Sequence, residues 1–289
     1  LAAIAEGESR IHGFLEGEDT RATAAVLARL GVHIEAPAAG DRVVQGVGLH
    51  GLRGSADPLD CGNAGTGMRL LTGLLAGQAF DSRLIGDASL SQRPMRRVTD
   101  PLALMGARID TRDGLPPRQV HGGRRLHGIR YELPVASAQV KSALLLAGLY
   151  AAGETEIIEP HPTRDYTERM LAAFGSPISF APGRAKLAGG HVLRATDVDV
   201  PADFSSAAFF MVAASIVPGS ALRLPAVGLN PRRTGLLQAL RLMGADITIA
   251  HERESGGEPV GDLLVRHAPL HGVELPGVLV PDMIDEFPA

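Results

Sequence analysis

A pattern of about 70 residues recurs along this chain. Its most regular mark is a large apolar residue followed by glycine: Leu30-Gly31, Met105-Gly106, Phe174-Gly175 and Met243-Gly244, with glycines 75, 69 and 69 residues apart. Each unit carries an apolar helix with a small polar start, a Gly turn, a strand, an Arg-containing loop and a second helix that ends at the stop. A period of that length, mixing helix with strand, excludes the short all-helical arrays. It requires repeated βαβαβ-type units and an α/β fold.

Three segments suit the first helix of a unit: Thr66 to Ala76, Ser137 to Ala151 and Ser205 to Ser215. All three are apolar around the whole circumference, the pattern of a buried helix. Asn63 and Thr66, Ser137 and Gln139, and Asp203, Ser205 and Ser206 stand at their starts, ready to satisfy the open N–H groups of a first turn. The second helices, Arg96 to Met105, Tyr166 to Phe174 and Thr234 to Met243, alternate charge with Leu and Met and belong outside. Helices inside and sheets outside follow. Parallel buried helices sharing one axis would add their dipoles into a positive potential at one end without adding net charge. The polar, Gly/Pro-rich stretch Asp110 to Arg125 is expected to be a loop. Val198-Asp-Val-Pro201 is expected to cross between domains, giving a first domain at 1–199 with three units, the first truncated, and part of a second at 200–289.

Composition narrows the partners. With 289 residues the chain exceeds what one small core needs and suits about two domains. A net charge of −4 and 4% aromatic residues provide neither the basic field nor the stacking platforms of a nucleic-acid binder. The longest apolar run, Ala143 to Ala152, is broken by Gly148 and falls short of a membrane span of ~20 residues. One cysteine, Cys61, forbids an internal disulfide and suits a reducing cytosol. The ten histidines show no paired ligand spacing, so neither metal nor cofactor is expected. The chain opens on Leu1 and closes at Met283-Ile-Asp-Glu-Phe-Pro-Ala289, where another helix is due to begin, the pattern of a piece of a longer protein.

Two inserts in the repeat carry chemistry. Asn63-Ala-Gly-Thr-Gly67 lacks the Lys-Ser/Thr of a phosphate-binding P-loop, because Met68-Arg69 stands there. Gly65 lets a ligand approach the backbone at a helix mouth, although a plain cap with packing glycines has the same residues. Arg93 precedes Pro94, which stiffens the backbone and can hold the guanidinium at a set angle for a bidentate anion contact. A loop arginine is also often a solvated charge. Arg93, Arg164 and Arg232 occupy the same loop of successive units, which favours a ligand with more than one acidic group. Ser137 suits either a phosphate or an N-cap. Asp285 suits either a cap or a base for a substrate hydroxyl.

The segments LDCGNAGTGMRL, GDASLSQRPM, LPVASAQVKSALLLAG, PTRDYTERML and PDMIDEFP together resemble the 5-enolpyruvylshikimate-3-phosphate synthase family over essentially all 289 residues. The resemblance implies two domains of three units each, helices inside, and an active site in a cleft between them. It implies transfer of enolpyruvyl from phosphoenolpyruvate to the 5-hydroxyl of shikimate 3-phosphate with release of phosphate, by a cytoplasmic monomer that needs no metal or cofactor. Gly65 and Arg93 would hold phosphoenolpyruvate, with Gln139 also within its reach. Ser137, Ala138, Gln139 and Arg164 would hold shikimate 3-phosphate. Asp285 would bind the shikimate hydroxyls and take the proton from the 5-hydroxyl. Ala138 departs from the Ser of many relatives and leaves one phosphate contact to the backbone. The family's N-terminal Lys-Ser…Arg segment and its later Lys-Glu, Arg and Lys residues would lie outside the chain. The resemblance also implies inhibition by glyphosate at the phosphoenolpyruvate site.

Two other readings share these features. A sister family transfers the same group to UDP-N-acetylglucosamine, but it carries a reactive Cys in the loop matching Gly86 to Met95, where this chain has none. The other is a non-catalytic repeat scaffold or anion-binding module, against which the buried, anion-ready helix ends and the repeat-matched arginines argue.

Overall fold

The two complete repeats in the computed structural model run β-α-β-α-β-β. The structure describes residues 1–289, apart from the side chains of Pro117 and Arg118. A first, partial unit contributes β1 (Glu6–His12), α1 (Glu18–Arg29), β2 (His33–Glu35) and β3 (Arg42–Val47). The second supplies β4 (Leu59–Asp60), α2 (Gly65–Ala76), β5 (Ser82–Ile85), α3 (Arg96–Leu104), β6 (Arg108–Arg112) and β7 (Leu115–His121). The third repeats that order as β8 (Arg130–Glu132), α4 (Ala138–Gly148), β9 (Glu154–Ile158), α5 (Tyr166–Ala173), β10 (Ser179–Ala181) and β11 (Arg184–Ala188). The fourth comprises α6 (Phe204–Ile216), β13 (Ala221–Gly228), α7 (Gly235–Leu242), β14 (Asp246–Ser255) and β15 (Glu258–Arg266), while the short β12 (Val198–Asp199) before it joins the first unit's sheet in the order β12-β1-β3-β2.

The sheets repeat as faithfully as the helices. The order is β4-β5-β7-β6 in one unit and β8-β9-β11-β10 in the next, with the first two strands parallel and the rest antiparallel. The order β13-β15-β14 keeps the same sequence. At the four stops the glycine has φ of +91°, +98°, +83° and +96°, so each closes its helix in the left-handed conformation that a Cβ disfavours. That conformation is the physical origin of the period seen in the sequence.

Asp110 to Arg125, expected as a loop, is instead largely the hairpin β6–β7. Its turn is Asp113-Gly114, with φ of +55° and +79°, the two positive angles of a tight hairpin turn. An Asp-Gly pair between strand-forming residues was the signal; the Pro-rich flank obscured it.

The chain divides into two compact parts, one of Leu1–Pro162 with Thr167–Val198 and another of Thr163–Tyr166 with Asp199–Ala289. The core of the first is built on α2 and α4. Met68, Leu71, Leu74 and Leu75 meet Leu144, Leu145 and Val140 in one buried cluster, each such side chain contributing roughly 1.5–3 kcal/mol by leaving water. A Cβ on Gly73 would lie 2.0 Å from the Ala143 carbonyl oxygen, so α2 and α4 touch backbone to backbone. The second part is centred on Phe204, Ala208, Met211, Leu237, Leu240, Leu263 and Val265. There α6 is buried on one side only: Phe209 and Phe210 are each 59% exposed. The expectation of a helix buried all round holds for α4 and fails for α6, because the first part pairs two apolar helices and the second sets one against a three-stranded sheet.

Candidate active site

In the first part the mouths of α2 and α4 lie together, a direct result of the close contact at Gly73. Gln139, in the first turn of α4, donates through Nε2 to Thr66 Oγ1 (2.8 Å) and accepts from Arg69 Nη1 through Oε1 (2.6 Å), both on α2. The two helices run in the same direction, so their open N–H groups and dipoles reinforce at one end.

Gly65 is buried at that end. A Cβ placed on it would stand 2.8 Å from Arg93 Nη1 and 3.3 Å from Arg69 Nη1. Two guanidinium groups therefore converge on the space above one glycine Cα. Arg93 has the extended backbone that a following proline imposes (φ −83°, ψ 125°). Its Nη2 donates to Asn63 Oδ1 (2.6 Å), and Asn63 Nδ2 donates in turn to Asp87 Oδ2 (2.7 Å). That Asn63 bond, then the Leu90 amide, hold the Asp87 carboxyl below its usual range, with the Arg93 charge adding to them. The hydrogen bonds of Arg93 thus go to neutral groups, Asn63 and Ser89, while its charge also acts on the nearby Asp87 carboxylate.

Arg69 is the residue the sequence reading missed. It is buried, its Nε has no hydrogen-bond partner among the described residues, and burial followed by the charges of Arg97 and Arg93 lowers its pKa. A single arginine in an otherwise apolar helix was the available signal, since arginine is almost never buried without purpose.

The expected cap on α2 is absent: Ala64 is the N-cap and makes no side-chain bond, because Asn63 is committed to Arg93 and Asp87, and Thr66 to Gln139. Ser137 does cap α4, its Oγ accepting from the Val140 amide at 3.4 Å, and Ala138 is the first helical residue. Ser137, Ala138 and Gln139 are half-buried. Gly65, Arg93, Ser137, Ala138 and Gln139 all belong to the first part.

Arg164 and Asp285 belong to the second part, and there they meet. Arg164 Nη2 lies 2.5 Å from Asp285 Oδ2. Arg233 Nη1 reaches the same oxygen at 3.3 Å. Arg232 turns away to Asp282 at 3.3 Å. Of the three loop-matched arginines, then, Arg164 and Arg232 hold carboxylates in the second part, while Arg93 stands over a helix mouth in the first. Asp203 caps α6, accepting from the Ser206 amide at 2.7 Å.

The sequence pattern of the EPSP synthase (3-phosphoshikimate 1-carboxyvinyltransferase) family matches residues 1–289. The chain belongs to the EPSP synthase family. It is 71% identical over 290 residues to the 3-phosphoshikimate 1-carboxyvinyltransferases of Xanthomonas campestris pv. campestris (strain B100) and Xanthomonas oryzae pv. oryzae (strain PXO99A), covering 100% of this chain and 66% of theirs. A structure of EPSP synthase from Acinetobacter baumannii superposes with a TM-score of 0.97 at 52% identity, covering 100% of this chain and 66% of that one. A second structure of the Acinetobacter baumannii enzyme gives a TM-score of 0.96. The chain thus spans 66% of the length of the EPSP synthases it matches. No helix among the described residues is long and apolar enough to cross a membrane.

Proposed function

We propose that the enzyme carrying this chain transfers the enolpyruvyl group of phosphoenolpyruvate to the 5-hydroxyl of shikimate 3-phosphate. A bond forms between the 5-hydroxyl oxygen and the central carbon of the enolpyruvyl group, the bond from that carbon to the phosphate oxygen breaks, and the hydroxyl proton goes to a base. The observation that carries this reading is the convergence of Arg93 and Arg69 on Gly65, at the shared mouth of two parallel buried helices. Such a site suits a small, multiply charged anion.

Gly65 and Arg93 hold phosphoenolpyruvate in this reading. Ser137, Ala138, Gln139 and Arg164 hold shikimate 3-phosphate, the serine hydroxyl and the amides of the α4 mouth on its phosphate. Asp285 accepts from the shikimate hydroxyls and takes the 5-hydroxyl proton. Residues 1–199 and 200–289 then belong to two domains of a cytoplasmic, monomeric enzyme. Transfer to UDP-N-acetylglucosamine is disfavoured because Cys61 is buried before α2 and the Gly86–Met95 loop carries no thiol.

Phosphate release by a full-length enzyme with this sequence tests the proposal. Release is expected only when phosphoenolpyruvate and shikimate 3-phosphate are both present. Equal release with UDP-N-acetylglucosamine in place of shikimate 3-phosphate would refute it.

A further inference from the structure

We infer that Arg233 is the positioning residue for Asp285, and that Asp285 Oδ1 is the oxygen presented to the substrate hydroxyl. The inference rests on the reading of Asp285 given above.

Asp285 lies in a short 3-10 turn, Ile284–Glu286, where the backbone alone provides little restraint. Its side chain is 55% exposed, so something else must set its direction. Two guanidinium groups do so, and both choose Oδ2: Arg164 at 2.5 Å and Arg233 at 3.3 Å. That leaves Oδ1 as the oxygen taken by neither arginine.

The two arginines are not equivalent. Arg164 is 42% exposed and sits in the loop before α5, whereas Arg233 is 13% exposed. Arg233 is also fixed from behind. Its Nη2 donates to Ser205 Oγ, and that hydroxyl donates to Glu286 Oε1, the buried neighbour of Asp285. Asp203 Oδ1, on the N-cap of α6, lies 3.6 Å from the same nitrogen. One planar fork therefore ties the cap of α6, the loop before α7 and the turn that bears Asp285. If Arg164 turns to an anionic substrate, as the reading above requires, Arg233 is the partner that stays. A lysine could keep the charge but could not span Ser205 and Asp285 together.

The test is a double-mutant cycle in a full-length enzyme with this sequence, using Arg233→Gln, Asp285→Ala and the pair. Arg233→Gln is expected to lower kcat on the order of 10²-fold, the scale of a misplacement near 1 Å, with little change in KM for phosphoenolpyruvate. In the Asp285→Ala background the same substitution should add little, since nothing is left to position. Arg233→Lys should fall between wild type and Gln, and it carries the cycle if the Gln variant does not fold. An undiminished loss in the Asp285→Ala background would assign Arg233 a structural role and overturn the inference, leaving Asp285 in the site. So would an unchanged kcat for Arg233→Gln. Full activity of Asp285→Ala alone would remove Asp285 from the site, and this inference with it.

Discussion

Gly65 shows how one missing methyl shapes the site. In the structure its Cβ would fall 2.8 Å from Arg93 Nη1, so Gly65→Ala must push aside the guanidinium assigned to phosphoenolpyruvate. The contact is with the end of a long side chain, which can shift, and the fold should survive. We expect KM for phosphoenolpyruvate to rise, and the glyphosate inhibition constant to rise further, because the longer inhibitor needs the space the methyl fills. Overpacking of this kind costs ~1–3 kcal/mol, about one to two decades in affinity. Steady-state inhibition curves on both enzymes decide it, and a wild type active at millimolar glyphosate would sink the claim. Arg93→Ala should cost about 2–4 kcal/mol in kcat/KM for phosphoenolpyruvate, the scale of removing one preorganised donor. An unchanged kcat/KM would remove Arg93 from the site. Arg93 was legible in the sequence because Pro94 and the repeat position both marked it. Arg69 was not: its meaning lies in a contact with Gln139, 70 residues away, that only the packing of α2 on α4 creates.

At the scale of elements, two charge clusters hold the architecture. On α4, Lys141 is 2% exposed, and its Nζ lies 2.8 Å from Glu159 Oε2 and 2.7 Å from Glu168 Oε1. The triad fastens α4 to α5 and to the segment after β9. Lys141→Met removes the ammonium between two buried carboxylates and is expected to cost about 3–5 kcal/mol, read as a lower urea midpoint. A midpoint unchanged from wild type would show that the triad is not a fastening.

In the three-stranded sheet, Asp262 on β15 accepts from the Ala226 amide (2.9 Å), Arg223 Nη2 (2.6 Å) and His251 Nδ1 (3.0 Å). Ala226 and His251 have φ of +52° and +50°, at register shifts in β13 and β14. One carboxylate thus spans two strained turns of backbone. The Ala226 amide first, then Arg223 and His251, hold its pKa well below the usual carboxylate range. A carboxylate depressed on folding stabilises the fold above its unfolded pKa of about 3.9 and loses that contribution as pH falls below it. Asp262→Asn should therefore be less stable than wild type at pH 7, and the gap should narrow below about pH 4. Urea midpoints across that range test it, and a gap that widens towards low pH would refute it. The strand after the Gly turn of the unit, here β13, was legible in the repeat. The clasp was not, because an aspartate in a strand shows no sequence sign of the two bulges it bridges.

At the scale of the whole molecule the repeat was the legible feature, since its glycine stops are backbone conformations that sequence records directly. The burial of α6 was misjudged for the opposite reason: a composition that suits burial says nothing about how many neighbours are present to cover it. The same limit governs ligand binding. The chain spans 66% of the length of the EPSP synthases it matches, and the residues assigned to the substrates divide between its two parts. Ser137, Ala138 and Gln139 sit on one rigid helix mouth, preorganised by the Gln139 bonds to Thr66 and Arg69. Preorganised donors lose little entropy on binding, so shikimate 3-phosphate should bind the 289-residue chain by itself. The affinity should be weak, of order 1 mM, or about −4 kcal/mol. Phosphoenolpyruvate should bind more weakly still. In the proposed reading Arg93 is the one charged contact assigned to it in this chain. Calorimetric titration of the chain with each substrate separates the cases. Tight binding of phosphoenolpyruvate with none of shikimate 3-phosphate would mean that the convergence over Gly65, and not the mouth of α4, is the complete site.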